Sequence, residues 1–326
     1  MLVDGVPEFA VEEERLIREK RTRKFPYKGI NEAFKLFKIS IEDLDCIAIG
    51  WNPSINLETY NSSFSDGRSR FIGEYFYSVA NNLLRFTGDV GDISEQIIQL
   101  KSGKKINIFF VRHHLAHASS FYSSGFKDSS ILTIDAFGEK ESVTFSHAKN
   151  NNISTIWKQE FPHSLGSFYS AFTSFLGFQP QNDEWKVMGA SAYGDSKKFQ
   201  KKIKETYKIL EEGFQLDLSF FNHFQFHRPG LFTEKLSSLL NLSPNIQDKE
   251  LTQEYYDLAA AVQKSFEEIY FSLINQLFKK NHSQNLVISG GSALNSLANG
   301  KVLENSNFKK IFIPPVPDDS GVSLGA

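Results

Sequence analysis

The 326-residue sequence holds a single cysteine, Cys46, and only two methionines. One thiol excludes an intrachain disulfide and fits a reducing compartment, so a cytoplasmic location is expected. No apolar run approaches the ~20 residues that span a bilayer, which sets aside a membrane role. The opening MLVDGVPEFAVEEER has neither a basic start nor an apolar stretch, so it does not read as a secretory signal. Charge of neither sign prevails: 36 Lys and Arg stand against 38 Asp and Glu, and a nucleic-acid partner is not expected. Short-period repeats and low-complexity tracts are also missing. A mean hydropathy of -0.31 with 40% hydrophobic residues fits a soluble globular protein long enough for two lobes. Thirty-one phenylalanines read as compositional drift and carry no functional reading.

What is present is an alternation of strands and helices. Asp4-Gly5 between short apolar runs predicts a hairpin. Ile30, Ala33, Phe34 and Phe37, at i, i+3, i+4 and i+7, predict an amphipathic helix. DCIAIGW reads as a buried strand, GEYFYSVANNLLRF as a helix and KINIFFV (Lys105 to Val111) as a strand, with HHLAHA opening the next helix. A turn-rich break, SSGFKDSS, marks the expected boundary between a lobe over 1–127 and a second over 128–326. SSILTIDAFGE, ESVTFSHA and ISTIWKQEF predict a three-stranded meander. Leu165, Phe168, Phe172 and Phe175 have helical spacing, and a long helix is expected from about Leu251 to Lys279. NLVISGG reads as a strand into a turn, SALNSLANGKVL as a helix, IFIPPV as a strand, and DDSGVSLGA as the start of another helix. Fold class α/β follows, with two lobes of related topology.

Three segments could carry chemistry. VRHHLAHASS packs three of the eight histidines into five positions. His113 and His117 are four apart and share a helix face, the spacing that offers two imidazoles to one metal. A zinc-protease pattern is rejected, because His114 stands where that pattern needs Glu. HFQFH gives His223 and His227 the same spacing in an aromatic stretch, so spacing alone leaves ligands and packed imidazoles both open. Asp135 ends an apolar strand, and Asp318 and Asp319 follow another. Such strand tips are where open α/β sheets gather ligands, although helix capping and turn chemistry also place Asp there. Mixed imidazole and carboxylate ligation suits Fe, Mn or Zn without choosing among them. The second segment, ISGGSALNSLANG, sets Gly290-Gly291 between a strand and a helix. It permits close backbone approach to an anion, but it is neither a Walker loop nor a dinucleotide fingerprint. The third, NDEWKVMGASAYG with Lys186, reads alternatively as a surface loop anchored by Trp185 and Met188.

Together, VRHHLAHASSFYSSGF, DEWKVMGASAYG, ISGGSALNSLANGKVLEN and PPVPDDSGVSLGA, with VEEERLIREK near the start, resemble the O-carbamoyltransferases typified by nodulation protein NodU and the antibiotic carbamoyltransferases. The five blocks keep family order across nearly the whole chain. The resemblance implies an actin/sugar-kinase-like fold of two ribonuclease H-like lobes, with mixed sheets and helices on both faces. It implies an enzyme that moves a carbamoyl group from carbamoyl-adenylate, made from carbamoyl phosphate and ATP, onto a hydroxyl of a sugar or natural product. The metal, iron by family analogy with Mn or Zn as alternatives, would be held by His113, His117, Asp135 and Asp319. Asp319 is preferred to Asp318 because the family pattern reads Asp, any residue, Gly. His114 would be the catalytic residue, polarising the carbamoyl group or taking the acceptor's proton. Gly138, Lys186, Gly290, Gly291 and Asn295 would bind the adenylate or carbamoyl group.

The departures matter as much. Ala136 stands where the family often has Gly, which is expected to tighten the loop near the phosphate. The family's opening strand, its last helix and its YrdC-like second domain are not found. The chain is therefore expected to be a first domain clipped at both ends, unable to complete the reaction alone. Expected partners are a nucleotide, a small-molecule hydroxyl acceptor and a separately encoded YrdC-like domain; a homodimer is also compatible. Two competing readings are a non-catalytic partner of such a YrdC-like protein and a relative of the tRNA threonylcarbamoyl-transferring enzymes.

Overall fold

The computed structural model describes residues 1–20, 22, 24–52, 91–225, 230–247 and 249–326. The helix expected over 73–86 and His227 of HFQFH lie outside the described residues. The chain opens with a hairpin of β1 (Leu2–Val3) and β2 (Val6–Pro7). Asp4 and Gly5 both take positive φ, 51° and 80°, as a two-residue I′ turn requires. α1 (Glu13–Ile17) leads to α2 (Tyr27–Phe37), the helix expected from the apolar stripe. The Glu13 carboxylate accepts from Lys28 and Gly29 N–H, donors that a helix start leaves without intrahelical partners.

Among the described residues a three-stranded mixed sheet follows, built from β3 (Cys46–Ile49), β4 (Ile93–Gln99) and β5 (Lys105–Val111). Its order is β3-β5-β4, with β5 parallel to β3 and antiparallel to β4. The sequence reading made β3 a buried strand, but Cys46 is exposed and Ile49 is 40% exposed. The reason is position: among the described residues β3 is an edge strand, paired on one side by β5. α3 (His113–Ala118) starts two residues after β5 ends.

The larger sheet carries the fold. β6 (Asp128–Ile134), β7 (Glu141–Lys149) and β8 (Asn152–Glu160) form the expected antiparallel meander. Helices α4 (Leu165–Phe175), α5 (Glu184–Ser191) and α6 (Lys197–Ile203) come next. A hairpin of β9 (Tyr207–Ile209) and β10 (Phe214–Leu216) precedes α7 (Glu234–Leu240) and the 28-residue α8 (Gln253–Lys280). β11 (Asn285–Ser289), the short α9 (Ser296–Asn299), β12 (Lys310–Phe312) and α10 (Asp319–Gly325) complete the chain. β11 joins β6 in parallel and β12 joins β11 in parallel, giving the order β12-β11-β6-β7-β8. A meander extended by two parallel strands beside its first strand is the ribonuclease H-like arrangement. β6 is therefore central, and its carboxyl end opens beside that of β11, where such sheets place ligands.

Two local expectations change. The segment around Lys186 is the helix α5 and not a loop; Val187 and Ala190 are its buried residues, while Trp185 is 63% exposed. SALNSLANGKVL is not one helix. A single 3-10 turn over Gly291–Leu294 is followed by α9, and Asn295 between them accepts the Ala298 N–H through its side chain.

Phenylalanine builds the core. Phe168, Phe172 and Phe175 of α4 are fully buried with Phe145, Phe221 and Phe266. Leu258, Val262, Ile269, Leu273 and Leu277 supply the apolar face of α8. Each such side chain stabilises the fold by roughly 1.5–3 kcal/mol relative to exposure. Among the described residues, no helix is long and apolar enough to cross a membrane.

Candidate metal centre

α3 is only six residues long, and its first N–H groups need acceptors from elsewhere. Glu139, in the turn between β6 and β7, serves the first of them: its carboxylate accepts the His113 N–H at 2.9 and 3.0 Å. With α3 anchored there, His113 and His117 stand one turn apart, Nε2 to Nε2 at 3.1 Å. Asp135, immediately beyond the end of β6, places Oδ2 3.3 Å from each of these nitrogens. Asp319, the first residue of α10, places Oδ1 at 3.3 Å from His113 and 3.6 Å from His117. Four ligand atoms thus lie within 4.8 Å of one another. His113, His117 and Asp135 are buried, whereas the Asp319 side chain is 77% exposed and forms the open wall.

Packing of small residues brings these elements together. A Cβ on Gly325 would meet the Ala116 carbonyl oxygen at 1.8 Å, and one on Gly50 would meet Val322 at 2.0 Å. α10 can therefore lie directly on α3, where Ser119 Oγ donates to the Gly325 carbonyl at 2.6 Å. Ser320 Oγ ties the start of α10 to Glu12, within the EEER segment. Asp318 sits at the N-cap position just outside the cluster.

The His113 tautomer is set by its surroundings. Its Nδ1 lies 3.1 Å from the Gly50 carbonyl oxygen, which can only accept, so Nδ1 carries hydrogen and Nε2 is left as the lone-pair donor in the neutral ring. Burial alone would lower the pKa of His113 and His117, yet hydrogen bonds to Asp135 and Asp319 raise both. Burial would likewise raise Asp135, but the two imidazoles hold it well below the usual carboxylate range. Two imidazoles and two carboxylates converging on one point are a donor set for a divalent transition ion. The residues present fit such an ion.

His114 has a different environment. It is buried, its Nδ1 lies 3.3 Å from Thr144 Oγ1, and its Nε2 has no hydrogen-bond partner among the described residues. Burial, with His113 as a cationic neighbour, pushes its pKa well below the ordinary value, so the ring is neutral. Gly138 packs on this pair; a Cβ there would come within 2.8 Å of both His113 and His114.

The remaining predicted residues divide. A Cβ on Gly291 would lie 3.0 Å from Asp135 Oδ1, so this residue borders the cluster. Gly290, at φ 94°, donates to the Pro317 carbonyl at 2.7 Å and leaves no room for a side chain beside Ile134. This turn thus links the end of β6 to the segment that carries Asp319. Ala136 packs against Gly166 at the start of α4, where an added Cβ would meet it at 2.8 Å. Asn295 faces inward, in reciprocal 3.0 Å hydrogen bonds with Gln263, which also accepts from Tyr169. Lys186 pairs with Asp183 at 3.1 Å and lies near the Phe178 and Trp185 rings. Sequence reasoning missed Glu139, whose signal was a carboxylate within the DAFGE turn, and Gly50, which contributes only a carbonyl. Burial raises Glu139 to about 7 against the opposing pull of the Asn52 and His113 amides.

Comparison with known proteins places the chain. The uncharacterized protein sll1178 of Synechocystis sp. is 31% identical over 341 residues, covering 100% of this chain and 54% of the relative. Nodulation protein NolNO of Sinorhizobium fredii is 28% identical over 99% of this chain and 44% of its own length. Nodulation protein NolO of Bradyrhizobium diazoefficiens is 30% identical over 66% of the chain and 37% of its own length. The chain spans about half the length of the first two of these relatives. Among solved structures, component A of (R)-2-hydroxyglutaryl-CoA dehydratase from Acidaminococcus fermentans aligns over 94% of this chain and 83% of its own at 13% identity and a TM-score of 0.43. The family model described as carbamoyltransferase N-terminus matches residues 1–326, and the chain belongs to that family.

Proposed function

We propose that this chain carries the transfer site of an O-carbamoyltransferase, moving a carbamoyl group from carbamoyl-adenylate to a hydroxyl of a sugar or natural product. The observation that supports it most is the convergence of His113, His117, Asp135 and Asp319 within 4.8 Å, in a chain of this family. These four residues would hold a divalent transition ion, iron by family analogy with Mn or Zn as alternatives, which when bound supplies Lewis-acid polarisation and a clamp for phosphate oxygens. In the transfer, the acceptor oxygen bonds to the carbamoyl carbon and the bond from that carbon to the adenylate phosphate oxygen breaks, releasing AMP. The acceptor's proton needs a base, and neutral His114 has the protonation state for it. The Gly290-Gly291 turn borders Asp135 through Gly291, and the adenylate would lie against this turn. Carbamoyl-adenylate, formed from carbamoyl phosphate and ATP, would come from a YrdC-like domain, joined or separate.

The test has two parts. Purified protein should bind about one equivalent of transition metal, and His113→Ala with His117→Ala should abolish that binding. Supplied with a YrdC-like domain, carbamoyl phosphate, ATP and a sugar acceptor, the protein should yield carbamoylated product, and His114→Ala should stop product formation while metal content is retained. Unchanged metal content in the double variant refutes the site assignment.

A further inference from the structure

We infer that Glu139 is a positioning residue for the metal centre, holding His113 through two routes at once without being a ligand; the inference rests on the metal-site reading above. Glu139 is 2% exposed and is one of few carboxylates enclosed this fully. Its oxygens point at backbone and not at the four-ligand cluster. They accept the His113 N–H at 2.9 and 3.0 Å, and Oε1 also accepts the Asn52 N–H at 2.6 Å. The first contact fixes the start of α3, and with it the angle at which His113 leaves the helix. The second fixes the strand exit after β3, two residues beyond Gly50, whose carbonyl oxygen takes the His113 Nδ1–H. One carboxylate therefore governs both the backbone anchor and the tautomer of the same ligand. Gly138, directly before it, packs on the His113 and His114 rings, so the turn cannot shift without moving them. A simple helix cap would need only the contact to α3. The contact to Asn52 joins a separate sheet to the same point.

Oε1 alone accepts both N–H groups, so an amide oxygen at that place keeps both acceptors but sets its NH2, at the Oε2 place, 3.0 Å from the His113 N–H. Donor then faces donor in a buried site, and the start of α3 must move. Outer-shell changes of this kind weaken metal binding by about 10–100-fold. The full chain should be titrated with Co2+ as wild type, as Glu139→Gln and as Ser142→Ala, with Kd, visible absorption bands and Tm measured for each. Ser142 lies in the same region, where its Oγ donates to the His163 carbonyl at 2.7 Å. It thus controls for a merely structural loss. The expected result is Kd about 10–100-fold weaker for Glu139→Gln, with shifted Co2+ bands at saturation. Ser142→Ala should lower Tm and keep the wild-type Kd and bands. Should Glu139→Gln not fold, Glu139→Asp keeps the charge but is a methylene too short to span both donors, and the same weakening is expected. Wild-type Kd and bands in the Glu139 variant, or equal weakening in Ser142→Ala, overturn the inference. If the wild type binds no Co2+, the metal-site reading itself fails, and this inference with it.

Discussion

His113 and His223 are both buried imidazoles in this chain, and they are perturbed in opposite directions. At His113 two carboxylates outweigh burial and raise the pKa. At His223 nothing outweighs it; the ring sits edge-on to Phe161, donates through Nε2 to the Pro162 carbonyl at 2.9 Å, and is pushed down to about 4. The two segments that contain them, HHLAHA and HFQFH, have the same four-residue histidine spacing. What separates them is what the fold brings opposite: the end of β6 and the start of α10 in one case, aromatic rings in the other. The chemistry resides in the neighbours.

The largest effect that sharpens this contrast is expected on the aromatic side. Phe221→Ala, beside His223, should cost about 3–5 kcal/mol in chemical denaturation while leaving the metal affinity of the folded protein unchanged. On the other side, Asp135→Asn should weaken metal binding by at least about 100-fold, beyond the usual range for outer-shell changes, read by metal analysis after dialysis. A third test uses pH. Because His223 is depressed in the folded state, the unfolded chain binds a proton first, so stability is lost as pH falls from the ordinary histidine value toward about 4. Between pH 6 and pH 5 this group should contribute a loss of up to about 1.4 kcal/mol, absent in His223→Gln. The smallest effect belongs to a third histidine. His147 faces Asp128 at 3.1 Å, much as His113 faces Asp135, but with both side chains partly in water. His147→Ala should change stability by less than about 1 kcal/mol. A large loss there would show that a histidine–carboxylate pair stabilises this fold even when partly in water.

Elements with a clear period were legible in the sequence. α2, α4 and α8 follow from apolar stripes, and the meander β6 to β8 from strand-length runs with turn residues between them. The four clustered residues were also readable, but only as strand-tip candidates strengthened by resemblance, since nothing local places Asp319 beside His113. Three features stayed hidden for a common reason. The exposure of β3 depends on which strands pair with it, the inward turn of Asn295 on Gln263 of α8, and the burial of Glu139 on the meeting of two sheets. A helical α5 with Trp185 outside was missed because a large aromatic suggested burial, whereas the smaller Val187 and Ala190 are the buried residues.

The seating of α10 on α3 has a consequence for how the centre comes into being. Ser119 and Gly325, joined by a hydrogen bond, are 206 positions apart in sequence. Closing so wide a loop is slow relative to local helix formation. His113, His117 and Asp135 come from one part of the chain, and Asp319 joins them only through that closure. An ion held by these four residues would bind only where distant segments have met, and its binding would in turn favour the folded chain.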